Sequence, residues 1–164
     1  TFSWWSIPAA LAALAAGYLA FPRKLQVPLG RIGAIAICAG ITFSLLFGVI
    51  GPSLKPIWLS PAIKVAVDAN RPCDTTVLAS AQYHEPSLVF LVGTRTVLTD
   101  VDGVAKHLLA DPACAMGLAS VKDEQKLNEL LAAQGKSANR LAEIDGLNYS
   151  SGDKLALGLY RVAK

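Results

Sequence analysis

Two long uncharged stretches lead the chain, and short apolar blocks at regular spacing follow them. Residues 3–21, SWWSIPAALAALAAGYLAF, run for 19 positions without a charge, and residues 32–50, IGAIAICAGITFSLLFGVI, for another 19. Each matches the about 20 apolar residues that carry a helix across a bilayer core. Trp4 and Trp5 at one end of the first run, and Tyr18 and Phe21 at the other, stand where interfacial aromatic belts belong. Gly33, Ala34, Ala36, Ala39 and Gly40 give the second run the small residues that let membrane helices approach closely. The pattern predicts a transmembrane helical hairpin over 1–55, with spans at 3–21 and 32–50. Beyond it, PSLKPIWLSPAIK (52–64) holds Pro52, Pro56, Pro61 and Trp58. Prolines at 56 and 61 argue against a continuous helix, so 56–67 reads as an interfacial connector.

From residue 68 onward the periodicity changes. TTVLAS (75–80), TVLTD (96–100) and CAMGLAS (114–120) are short apolar or β-branched blocks that read as strands. Between them, EPSLVFLVG (85–93) opens with a proline and closes on Gly93, as a short helix does. DVDGVAKHLLAD (100–111) carries an aspartate cap and Val104, Leu108 and Leu109 on one face. VKDEQKLNELLAAQG (121–135) shows the stripe Leu127, Leu130, Leu131 and ends at a glycine. Residues 139–162 alternate apolar and polar positions on both sides of SSGD, the signature of an antiparallel hairpin. Strands that alternate with helices predict a layered α/β sandwich over 68–164, its sheet mainly parallel with a C-terminal antiparallel hairpin.

Charge then orients this arrangement. Residues 1–55 contain Arg23, Lys24, Arg31 and Lys55 and no acidic residue. The rest holds all 12 acidic residues against 11 basic ones, so the net +3 divides into +4 and −1. A basic loop beside two apolar runs is no nucleic-acid footprint. Arg23, Lys24 and Arg31 lie between the runs, and by the positive-inside rule that loop faces the cytoplasm. The α/β part then faces outward, into the periplasm or the extracellular space. The chain opens at Thr1 directly on an apolar run, with no basic region or cleavage site before it. It therefore reads as the C-terminal part of a longer membrane protein.

The outward compartment changes the reading of the cysteines. Cys38 sits within an apolar run, whereas Cys73 and Cys114 each precede a predicted strand in the outward part. Oxidising surroundings and neighbouring parallel strands make that pair a disulfide candidate. Catalytic motifs are sparse. His84, Glu85 and the distant His107 form no HExxH, and no CxxC is present, so no metal is expected. Ser87 lacks the flanking glycines of a nucleophile elbow, and neither GTRT nor LGLYR is a phosphate loop. No organic cofactor is expected. One stretch stands out: SAQYHEPSLVFLVG (80–93) sets Tyr83, His84 and Glu85 at the mouth of an apolar segment. Two readings remain open for it. It is a strand-to-helix turn with Glu85 at the positive end of a helix, or a ligand site at the carboxyl end of a parallel strand.

Two terminal spans, an aromatic and proline-rich connector, and an outward α/β domain containing ASAQYHEPSLVFLVGT together resemble the C-terminal end of bacterial glycosyltransferases of family 39. That group comprises the protein O-mannosyltransferases and the lipid A aminoarabinose transferase. YHEPSLVFLVGT is the segment that carries the likeness; the remaining features are shared by many proteins. The resemblance implies a polytopic GT-C enzyme of the bacterial inner membrane. Such an enzyme moves a sugar from a polyprenyl-phosphate donor to a lipid or protein acceptor on the periplasmic face. It also implies a catalytic carboxylate in an early external loop, upstream of these residues, so no residue here takes the catalytic role. Membrane lipids, the lipid-linked donor and the acceptor are the expected partners, with Tyr83, His84, Glu85 and Arg95 as the substrate-binding candidates. A non-enzymatic, membrane-anchored periplasmic binding domain and a self-contained outward enzyme are the rival readings.

Overall fold

The computed structural model of the chain describes residues 3–21, 28–147, 152 and 154–163. It divides into two compact units, Thr1–Lys55 and Pro56–Lys164.

In the first unit, α1 (Ser6–Ala20) packs against α2 (Leu29–Leu45). Helix α2 continues through a π-helical turn, Leu46–Ile50, into the short α3, Gly51–Ser53. The wider turn lies just before Pro52, whose ring would otherwise collide with the carbonyl four residues earlier. The continuous Leu29–Ser53 helix has 25 residues and, among the described residues, is the one helix long and apolar enough to cross a membrane. The same length and composition serve a membrane span or a signal sequence. Helix α1 falls short of the span expected at 3–21: its 15 residues rise roughly 22 Å. The chain leaves the helix at Phe21, which is extended (ψ 120°), because the residue before a proline avoids the helical region. Arg31 donates from Nε to the Leu19 carbonyl and from Nη2 to the Phe21 carbonyl, satisfying groups that the end of α1 leaves open. Arg23 and Lys24, on which the orientation argument leans, lie outside the described residues.

The second unit is a five-stranded sheet between two helical layers. Its helices are α4 (Leu59–Asn70), α5 (Pro86–Val92), α6 (Val101–Ala110) and α7 (Glu124–Ala132). Its strands are β1 (Leu78–Ala81), β2 (Val97–Thr99), β3 (Met116–Ser120), β4 (Ala138–Leu147) and β5 (Lys154–Val162), in the order β2-β1-β3-β5-β4. β1 runs parallel to β2 and β3, while β5 runs antiparallel to β3 and β4. The sheet is thus mixed, three parallel strands beside an antiparallel C-terminal hairpin. The hairpin joins through β5, so the third parallel strand receives an antiparallel neighbour. Alternate residues feed two cores. Leu78, Met116, Leu118, Leu157 and Leu159 meet Ile63, Val67 and Leu88 of α4 and α5. Ala79, Ala119, Tyr160 and Val162 meet Val104, Leu108, Leu127 and Leu131 of α6 and α7.

Helix α4 corrects the expected connector over 56–67. It begins at Leu59, and Pro61 falls in its first turn, where an amide hydrogen would have no intrahelical partner. Leu59, Ile63 and Val67 are buried, so this segment builds the core. Asp100 caps α6 by accepting from the Gly103 amide at 2.8 Å. Gly93, at φ +147°, ends α5 in a conformation open to glycine.

Candidate functional site

Chain order decides where a site can form on this sheet. From β1 the chain passes through α5 to β2 on one side. It then crosses through α6 to β3 on the other side of β1. The connections after β1 and β3 therefore diverge to opposite helical layers, the place where open α/β sheets form a crevice. Residues 82–85 leave β1 at this point.

The four residues separate into different roles. Gln82 holds a left-handed backbone (φ 61°), unusual for a residue with a side chain. Its amide closes the crevice: Nε2 donates to Asp123 Oδ2 at 2.6 Å, and Oε1 accepts from the Ser120 amide at 3.1 Å. Tyr83 turns inward and is 5% exposed. Its hydroxyl lies 2.8 Å from Ser60 Oγ, which lies 2.8 Å from Ser87 Oγ. Ser80, fully buried, donates to the Tyr83 carbonyl at 2.7 Å and fixes the turn. His84 turns outward. Its Nε2 stands 2.9 Å from the Thr99 carbonyl and 3.2 Å from the Ser80 carbonyl. Both partners accept, so Nε2 carries a hydrogen and the ring ties the ends of β1 and β2 together. Glu85 is the N-cap residue of α5, with Pro86 in the first turn.

A cavity of about 500 Å³ opens beside Tyr83. Ile57, Trp58, Pro61 and Leu91 form apolar walls, and the Ser60–Tyr83–Ser87 hydroxyls form a polar seam. The seam suits recognition. It offers donors and acceptors within an apolar surround, as small-molecule sites do. These hydroxyls bond to one another, Ser60 bridging Tyr83 and Ser87.

Arg95 is not brought to this place. It precedes β2, at the amino edge of the sheet, and lines a separate cavity of about 170 Å³ with Arg71, Thr76, Thr94 and Thr96. Tyr83, His84 and Glu85 are gathered at the carboxyl edge, and only Tyr83 lines the cavity there. Cys73 and Cys114 are joined in a disulfide, with Cα atoms 5.4 Å apart, linking the segments that precede β1 and β3. Among the described residues no group of three His, Cys, Asp or Glu side chains is gathered as a metal site. Ser60 and Gln82 are parts of this edge that sequence reasoning passed over, and Trp58 was read only as part of the interfacial connector. The available signal was a serine in the apolar run WLSP, directly before a proline at a helix start. Comparison with known proteins adds no relative: no family model, curated protein or solved structure matches the chain.

Proposed function

We propose that the chain is the C-terminal part of a membrane glycosyltransferase of the family 39 kind. In this reading, the Leu29–Ser53 helix crosses the membrane and anchors an outward α/β domain that holds a lipid-linked substrate beside it. The observation that carries it is the apolar cavity with its hydroxyl seam. Its walls come from Ile57–Pro61 and from the YHEPSLVFL segment, the stretch on which the resemblance rests. An isoprenoid or acyl chain fits apolar walls, and a phosphate or sugar fits hydroxyl donors. The Cys73–Cys114 bridge agrees with an oxidising outer compartment. The sugar-transferring carboxylate belongs to upstream sequence, and Tyr83, Ser60 and Ser87 have a binding role.

The test uses the native polypeptide in its own membrane. Sugar transfer from a polyprenyl-phosphate donor is followed for the wild type, Ser87→Ala and Tyr83→Phe. The expected result is transfer by the wild type and a several-fold rise in donor KM for both variants at unchanged protein level. An intact protein that transfers no sugar sinks the enzymatic reading. A membrane-anchored binding domain is the second reading, because an apolar cavity with a hydroxyl seam serves binding without any chemistry. Donor binding without transfer is its signature.

A further inference from the structure

The two helical layers of the second unit have different outer faces. The layer of α6 and α7 turns Lys106, Gln125, Lys126 and Glu129 outward, an ordinary solvated face. The layer of α4 and α5 does not. On α4, with Leu59, Ile63 and Val67 committed to the core, the opposite side presents Trp58, Pro61, Ala62, Val65 and Ala69 within an arc of roughly 100°. The charged residues of this segment sit on one flank and are spent on one another: Asp68 pairs with Lys64 at 2.5 Å and with Arg71 at 3.0 Å. Helix α5 carries no charge from Pro86 to Val92. Val65 is 69% exposed and Phe90 85%. A helix that is apolar on both sides is one meant to be covered on both sides.

Chain continuity identifies the covering material. Trp58 follows Ser53, the last residue of the long apolar helix, by five residues, a reach of at most about 18 Å. A helix whose first turn is so tethered stays within reach of the headgroup zone, where tryptophan and phenylalanine gain by insertion. We propose that the outward face of α4 and α5 lies on the lipid surface, with Trp58, Val65 and Phe90 entering the interface. The inference rests on Leu29–Ser53 being a membrane span.

The experiment reconstitutes the full chain in vesicles of phosphatidylcholine and phosphatidylglycerol with acyl chains brominated near the headgroup. Trp4, Trp5 and Trp58 are replaced by Phe, and one indole is introduced by Phe90→Trp. Its emission is expected to fall by at least about half relative to unbrominated vesicles, with weak quenching by aqueous acrylamide. Quenching by acrylamide alone overturns the proposal, because the face is then solvated. Quenching by neither agent also overturns it, because protein, such as a second copy, then covers the face. A parallel indole from Phe43→Trp reports on the span itself. Quenching there without quenching at residue 90 removes the docking and leaves the span. Quenching at neither position removes both.

Discussion

Removing the disulfide through Cys73→Ala with Cys114→Ala should lower the stability of the second unit by about 4 kcal/mol. The figure follows from loop closure over a sequence separation of 41, which links β1, α5, β2 and α6 into one ring. Domains of this kind hold together by only about 5–15 kcal/mol, so the loss is a large fraction of the total. Urea unfolding of the full chain in detergent, followed by circular dichroism, reads it directly. At an unchanged slope the midpoint should fall by about 1.5–4 M. Equal midpoints for the bridged and thiol-free proteins would refute the reasoning, because the open chain would then already be as restricted as the closed one. They would also remove the cysteine pair as support for an oxidising compartment. The bridge lies at the amino edge of the sheet and the Tyr83 cavity at the carboxyl edge. Binding of a lipid probe to the folded variant should therefore match the wild type.

Gly117→Ala sets a new Cβ 2.6 Å from Val104 Cγ1 and 3.2 Å from Leu108 Cδ1, so it should cost about 1–3 kcal/mol in the same unfolding measurement. His84→Ala removes the donor shared by the Ser80 and Thr99 carbonyls and should cost on the order of 1 kcal/mol without changing probe affinity; an affinity loss at full stability would instead make His84 a ligand contact. Burial, helped by neighbouring Glu124, raises the pKa of the Tyr160 phenol well above 10. Its neutral form therefore favours the folded state, a contribution fully present below pH 10 and lost as pH rises further, and absorbance titration should show Tyr160 ionising only as the sheet opens. The Lys126 ion pair lowers the pKa of Asp102 below 3.8, so the tie between α6 and α7 should weaken as pH falls through that range, and Asp102→Asn should flatten the acid limb of the stability profile.

The elements with strong local signals were legible in the sequence. The capped α6, the leucine stripe of α7 and the β4–β5 alternation all reappear, with ends moved by a few residues. Helix α4 was hidden by two prolines, although Pro61 stands in the first turn, where it does no harm. The expected first span is shorter at both ends: Trp4 and Trp5 form a turn before the helix, and Phe21, which precedes a proline, leaves it. Register and neighbour choice are long-range properties. The hairpin was legible, but that β5 rather than β4 sits beside β3 is a matter of packing across the whole sheet.

The candidate site shows the same division at finer scale. Tyr83 and His84 are neighbours in the chain, yet the first is buried and the second exposed. One therefore enters the cavity and the other laces two strand ends together, although the sequence presents them as one cluster. Arg95 looked close at a separation of ten residues, but α5 carries the chain back across the sheet to the opposite edge. Ser60, 23 residues from Tyr83, becomes its hydrogen-bond partner because α4 and α5 share one layer. This layer also gives the two proposals a common residue. Trp58 lines the cavity and belongs to the outward apolar stripe. With that stripe on lipid, an amphiphile passes from the bilayer into the cavity along continuous apolar surface. Trp58→Ala should then slow ligand entry more than it weakens the bound state, a split that measured on- and off-rates resolve. A change confined to the off-rate would mean that the cavity fills from water.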